Sequence, residues 1–197
     1  MKYILASKSP RRREILENLG VKFQIVTSDA DESSDVKDPA ALTEELALRK
    51  GRAVAQMLRS QGKLTEDDIV ISADTVVVCD GEILGKPRDR ADAYRMLRML
   101  GGRSHEVVSS LALLRDGKEY FGHSITRVYF NEVSDKEIYN YIDSGDPFDK
   151  AGAYAVQGRA ALWVDRIDGC YFGVVGLSVS LFNRLHKECT GEAFSEI

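Results

Sequence analysis

Ile69-Val70-Ile71-Ser72-Ala73-Asp74-Thr75-Val76-Val77-Val78 is the most strongly apolar segment of the chain. Branched aliphatic residues of high strand propensity stand on both sides of a short polar patch. The segment predicts a central strand, interrupted where Ser72 to Thr75 break the apolar run. Asp80-Gly81 follows as a hairpin signal, with Ile83-Leu84 returning, because a tight turn needs residues that tolerate positive φ.

Working outward from this strand, upstream and downstream segments read differently. Tyr3 to Ala6 predicts a short buried strand, and Ser9-Pro10 predicts an N-cap followed by the first helical residue. Ile15, Leu16 and Leu19 supply an apolar helical face, and Gly20 a C-terminal stop. Val21 to Thr27 alternates as a strand. Ser28 to Asp38 is an acidic loop expected to be mobile. Pro39 opens a helix with Leu42, Leu46, Lys50, Ala53 and Met57 near one face.

Downstream, Asp89-x-x-Asp92 begins a helix carrying Ala93, Met96, Leu97 and Leu100, closed by Gly101-Gly102. Val107 to Leu114, Asp116-Gly117, and Tyr120 to Phe130 predict a β-hairpin. Ser134-x-x-Glu137 is a capping box, and Ile138, Tyr141 and Ile142 form the buried face of its helix. Ala161 to Val164 and Cys170 to Val174 read as strands, Leu177 to His186 as the last helix, and the tail beyond Cys189 as frayed. Strands and helices alternate at first and hairpins appear later. That pattern predicts an α/β fold with a mixed sheet flanked by helices, within a single domain over residues 1–197.

Composition bounds the function. The chain has 197 residues, 44% hydrophobic and 29% charged, as in a soluble globular protein. Its net charge of -4 provides no global field for a nucleic acid backbone, so a small anionic substrate needs a local cationic pocket. Cys79, Cys170 and Cys189 contain no C-x-x-C pair, which speaks against zinc or a disulfide framework and for buried thiols in a reducing compartment. The start MKYILASKSPRRR turns polar too early for a signal peptide, and no apolar run approaches the ~20 residues of a membrane helix. The expectation is a cytoplasmic protein with no membrane and no nucleic acid partner. Oligomeric state is open, with a homodimer one option.

Four stretches carry chemistry. In Ser7-Lys8-Ser9-Pro10-Arg11-Arg12-Arg13, Arg11 and Arg12 fall in the first turn of a helix, where free N–H groups and the helix dipole favour an anion. Serine hydroxyls and arginine forks add donors for phosphate oxygens. The bland alternative is a solvated basic helix start, yet positive charge is unfavourable there by ~0.3–1 kcal/mol per charge. Ser72-Ala73-Asp74-Thr75 places a carboxylate in an apolar strand, where it must be paired, hydrated or metal-bound. Asp74 is therefore a general base, a metal ligand or a structural cap. Gly85-Lys86-Pro87-Arg88 is a shaped basic loop, or merely a solvated one. Asp149 to Gly158 is rich in small residues, which suits either close ligand approach or a tight turn, and Gln157 could read a base edge. His105, His123 and His186 share no metal-ligand spacing, so surface or hydrogen-bonded histidines are expected. Walker A, G-x-G-x-x-G and G-x-S-x-G motifs are absent.

Taken in order, Ala6-Ser7-Lys8-Ser9-Pro10-Arg11-Arg12, Ser72-Ala73-Asp74-Thr75, Gly85-Lys86-Pro87, Asp149 to Tyr154, Gln157-Gly158 and Val175-Gly176-Leu177 resemble the Maf family. Each piece alone is weak, and the ordered set is specific. The chain departs at Ser178, where many members have Pro after Gly-Leu. The resemblance implies an elongated α/β structure with a mixed sheet and a substrate cleft between two lobes. It implies divalent-metal-dependent hydrolysis of nucleoside triphosphates between the α and β phosphates. Glu32 and Lys50 sit where the family places polar active-site residues. Arg11, Thr75 and Gln157 resemble the dTTP/UTP branch rather than the 7-methyl-GTP branch.

On that footing Asp74 is the expected base. Ser7, Arg11, Arg12, Glu32, Lys50, Thr75, Lys86 and Gln157 are the expected substrate contacts, with Mg²⁺ or Mn²⁺ on Glu32 and Asp74. Other classes remain to be separated by pyrophosphate release without a second substrate: a non-catalytic nucleotide-binding regulator of cell division, and a nucleotidyltransferase.

Overall fold

In the computed structural model the apolar stretch forms β3, Ile69–Cys79, a strand of 11 residues. The structure describes residues 1–194. The expected interruption is absent, because Ser72 and Asp74 find polar partners on a neighbouring helix without leaving the strand. Chain contacts divide the protein into two compact units. The first comprises Met1–Asp74, Ser109–Ser124 and the residues from Gly176 onward; the second comprises Thr75–Val108 and Ile125–Val175.

In the first unit, β1 (Tyr3–Leu5) lies between β2 (Phe23–Ile25) and β3, parallel to both. Tyr3, Ile4 and Leu5 register with Ile69, Val70 and Ile71. This unit also holds residues 109–115 of β5 (Ser104–Arg115) and 118–124 of β6 (Lys118–Phe130), joined by the turn Asp116-Gly117. Asp116 takes φ 49° and Gly117 φ 73°, the left-handed pair that a two-residue hairpin requires.

Helix α1 (Pro10–Asn18) starts as expected, with Ser9 as N-cap and Pro10 at the first position. Its buried face is Ile15 and Leu16; Leu19 lies beyond the helix and is exposed. Gly20 continues in the left-handed conformation at φ 75°.

Helix α2 (Pro39–Ser60) is capped by Asp38, whose carboxylate accepts from the Ala41 N–H at 2.8 Å. Its buried stripe is displaced from the expected one. Thr43, Leu46, Ala47, Leu48, Gly51, Val54, Ala55 and Leu58 are inside. Ala47, Gly51 and Ala55 form a row of small residues at helical spacing, which lets the backbone approach β3. Hydrophobicity alone does not reveal that preference. The core here joins Ile4, Ala6, Val70, Ala112 and Leu114 to Ala47, Leu48, Val54, Ala55 and Leu58.

The last helix, α6, belongs to this unit, although the chain reaches it after passing through the second. It spans Val179–Thr190, with Ser178 as N-cap accepting from the Leu181 N–H at 3.4 Å. The serine at the position where the chain departs from the resembled pattern thus serves as a helix cap. The expected fraying does not begin at Cys189. Ala193 is buried, and the Phe194 ring meets Tyr3, Phe182 and His186.

In the second unit, β4 (Glu82–Leu84) pairs antiparallel with β3 across the Asp80-Gly81 turn. The order continues from β3 through β5 and β6 to β7 (Val164–Asp168), antiparallel to β6. Parallel and antiparallel pairs together make the sheet mixed, as expected. Helix α3 (Arg90–Leu100) is capped by Asp89, and α4 (Asp135–Asp143) carries the full Ser134/Glu137 capping box. Tyr94 and Tyr139 stack between α3 and α4 at 5.0 Å.

Two expectations fail near the end of this unit. Residues Arg159–Trp163 form a 3₁₀ turn and Tyr171–Val175 a short helix, α5; the strand lies between them. Short apolar runs do not separate helix from strand, and β7 is mostly exposed, so it shows no apolar signal.

Candidate functional site

The polar group of the first unit is assembled by α1 and α2 against the middle of β3. Ser72 is fully buried and donates its hydroxyl to the Ala47 carbonyl at 2.7 Å. Two residues on, Asp74 faces the same side of the strand. It is 7% exposed, and its Oδ1 accepts from Lys50 Nζ at 2.6 Å. The same ammonium lies 3.1 Å from Glu32 Oε2. Lys50 thus joins a buried carboxylate to an exposed one.

The chain leaves β1 through Ala6, whose N–H donates to the Ile71 carbonyl at 2.8 Å. This holds the turn into α1 against β3. Ser7 is buried, and its Oγ accepts from the Ser9 N–H at 3.2 Å and from Arg12 Nη1 at 3.4 Å. Arg12 Nε donates to the Gly176 carbonyl at 2.9 Å. Burial lowers the Arg12 pKa; the charges of Asp74 and Glu32 oppose that shift and Arg11 adds to it. Arginine stays cationic regardless. The helix start and the Lys50 cluster are therefore electrostatic neighbours. Arg11 is half-buried beside Arg12, while Lys8 is exposed and pairs with Asp29 on the surface.

Gly176 went unassigned in the sequence, although it belongs to a quoted motif. Its φ of 134° is a backbone conformation that favours glycine, and its carbonyl fixes Arg12. Gly51, next to Lys50 in α2, is required for a different reason: a Cβ there would stand 2.6 Å from Ser72 Oγ.

Among the expected site residues, Thr75, Lys86 and Gln157 belong to the second unit. Thr75 follows Asp74 in β3 and is half-buried; Lys86 and Gln157 are exposed. Two of the quoted motifs meet here: the Gly152 N–H donates to the Gly85 carbonyl at 3.0 Å. A Cβ on Gly152 would lie 2.8 Å from Val77 Cγ2, so only glycine fits. Ala153 takes φ 61°, which costs a residue with a Cβ roughly 1–2 kcal/mol. Tyr154 is buried and its hydroxyl meets His105 Nε2 at 2.7 Å. Gly152 and Tyr154 thus serve a tight, packed turn, and exposed Gln157 follows it.

The histidines behave as hydrogen-bonded side chains. His186 sits between the Tyr3 hydroxyl and the Glu192 carbonyl, and His123 pairs with Glu44. Among the described residues, no three of His, Cys, Asp and Glu come together as a metal-binding group.

A basic helix start thus stands beside a carboxylate–ammonium–carboxylate cluster in an α/β protein with a mixed sheet. The chain belongs to the Maf-like protein family, whose profile matches residues 2–189. It is 48% identical over 191 residues to the dTTP/UTP pyrophosphatase of Caldanaerobacter subterraneus subsp. tengcongensis, covering 95% of this chain and 89% of that one. It is 47% identical over 191 residues to that of Thermoanaerobacter sp. strain X514, covering 95% and 97%. It is 51% identical over 176 residues to that of Chromobacterium violaceum, covering 89% and 88%.

Proposed function

We propose that the protein is a nucleoside triphosphate pyrophosphatase that hydrolyses dTTP and UTP to the monophosphate and pyrophosphate. The observation that carries the reading is the Lys50 ammonium held between Asp74 and Glu32, within the field of Arg12. Family membership and the names of the relatives support it.

In this reading Asp74 accepts a proton from the water that attacks the α phosphorus, and the bond to the bridging oxygen of the leaving pyrophosphate breaks. Lys50 keeps the two carboxylates together and offers a donor to the phosphates. Arg12, aimed by Ser7 and the Gly176 carbonyl, binds phosphate oxygens, together with Arg11 and the N–H groups of the α1 start. Thr75, Lys86 and Gln157 enter through the family resemblance alone: Lys86 for the phosphates, Thr75, Gln157 and Arg11 for the pyrimidine edge. Such a polar readout is selective, because a wrong base leaves buried polar groups unpaired at ~1–3 kcal/mol each.

The residues fit a hard dication. Glu32 and Asp74, which here both face the Lys50 ammonium, are hard oxygen donors, and Mg²⁺ or Mn²⁺ is commonly held by one or two carboxylates with substrate phosphates and water completing the shell. When bound it would supply positive charge against the phosphates and acidify the attacking water. The reduced thiols of Cys79, Cys170 and Cys189 accord with a cytoplasmic setting, and no helix among the described residues is long and apolar enough to cross a membrane.

The test is pyrophosphate release from dTTP, UTP, CTP, GTP and 7-methyl-GTP with Mg²⁺ or Mn²⁺. Release from dTTP and UTP is expected. No release from any triphosphate removes the enzyme reading, equal kcat/KM on GTP and UTP removes the selectivity, and full activity after exhaustive chelation removes the metal.

A further inference from the structure

Glu32 is the exposed member of the charged cluster, with 62% of its side chain open to solvent, and it stands in an irregular acidic segment. Something must hold it at Lys50, since an exposed ion pair alone contributes little and is screened by salt. The structure provides a clamp one residue before Lys50. Arg49 Nη1 donates to the Asp31 carbonyl at 2.8 Å and to the Ser33 carbonyl at 2.7 Å. These are the two carbonyls that flank Glu32. The other guanidinium nitrogen, Nη2, is paired with Glu45, one helical turn earlier on α2.

The segment is organised around this grip. The Asp31 carboxylate accepts from the Ser33 N–H at 2.9 Å and from the Ser33 hydroxyl at 2.6 Å, closing the turn with Glu32 at its centre. The Ser34 hydroxyl reaches Glu45 Oε2 at 3.2 Å and accepts from the Val36 N–H. Glu45 thus orients the arginine and ties the next residue of the loop. Arg49 and Lys50 are consecutive and divide the work: one grips the backbone around Glu32, the other its carboxylate.

We propose that Arg49 is the positioning residue for Glu32, fixing the carboxylate beside Lys50 and Asp74 by holding the backbone carbonyls of the residues before and after it. The idea rests on the catalytic reading above for its effect on turnover, but the clamp itself is independent of that reading. A planar fork bridging two carbonyls, with its second arm on a carboxylate, is a geometry that lysine does not reproduce.

The experiment uses the full chain and Arg49→Met, which keeps length and helix propensity but removes every donor, with Arg49→Lys as the charge-retaining control. Amide hydrogen exchange of residues 31–36, measured without nucleotide or metal, is expected to accelerate about tenfold in Arg49→Met, with the amides of β1 and β3 unchanged. Unchanged exchange in residues 31–36 overturns the clamp whatever the catalytic result. Turnover of UTP then separates positioning from a merely structural role. Arg49→Met should lower kcat by about tenfold with a smaller change in KM, and Arg49→Lys should recover only part of it. In a Glu32→Gln background, Arg49→Met should add less than about twofold, because the positioned group is already gone. Losses that multiply in the double variant overturn the link to Glu32. Normal turnover in Glu32→Gln alone overturns the role given to Glu32 in catalysis, and leaves the exchange result to decide the clamp.

Discussion

Replacing Gly51 with alanine tests whether the close seat of α2 on β3 aims Lys50. An added Cβ would stand 2.6 Å from Leu114 Cδ1 and 2.6 Å from Ser72 Oγ, about 1 Å inside ordinary contact. The leucine terminus can swing aside. Ser72 cannot: it is fully buried and committed to the Ala47 carbonyl. Either Ser72 rotates, leaving a buried hydroxyl unpaired at about 1–3 kcal/mol, or α2 lifts, with an overpacking cost of about 1–3 kcal/mol. Alanine returns about 1 kcal/mol of helix propensity. The net expectation is destabilisation of up to about 2 kcal/mol by urea titration. A lift of about 1 Å would carry Lys50 Nζ from 2.6 Å to beyond hydrogen-bond reach of Asp74, and misplacement on that scale costs up to about a hundredfold in rate. Adding Ser72→Ala, which removes the clashing oxygen, should restore part of both. If Gly51→Ala is as stable as the parent and turns over UTP normally, the helix seat does not position Lys50.

Other outcomes follow from the same geometry. Asp74→Asn keeps the shape and removes the base, so pyrophosphate release from UTP should fall by at least about a hundredfold with the fold intact by circular dichroism; near-normal turnover removes Asp74 as base. Arg12→Ala should lower kcat and raise KM, since contacts to the leaving pyrophosphate tighten in the transition state; unchanged kcat/KM excludes it from the phosphate site. Burial lowers the His105 pKa from 6.5 to about 4, so the folded state favours the neutral ring. The stability this provides is complete above pH 6.5 and is lost as pH falls from there toward about 4, up to roughly 3 kcal/mol. Urea titrations at pH 7.5 and 4.5 should show that loss in the parent and a smaller one in His105→Gln; equal losses would place the acid sensitivity elsewhere. Gln157→Ala should narrow the preference for UTP over GTP, and unaltered selectivity removes Gln157 from base reading.

Much of the protein was legible residue by residue. Helix starts at Ser9-Pro10, Asp38-Pro39, Asp89 and Ser134, and the turns at Asp80-Gly81 and Asp116-Gly117, depend on one to four neighbouring residues, so local chemistry determined them. The candidate charged residues were also visible one at a time, because an Asp in an apolar strand and arginines at a helix start are locally unfavourable without a partner. Which of them meet is a matter of how distant segments pack. Lys50 reaches Asp74 across 24 positions of sequence and Arg12 reaches Gly176 across 164, and no local pattern encodes either separation. The face of α2 was decided the same way: Ala47, Gly51 and Ala55 face β3 because a sheet can be approached most closely by a row of small side chains, a preference that appears only once the sheet is there. Short apolar stretches at 161–164 and 170–174 fell to turn and helix because pairing partners, not composition, make a strand, and the partner of β6 was the polar edge Val164–Asp168.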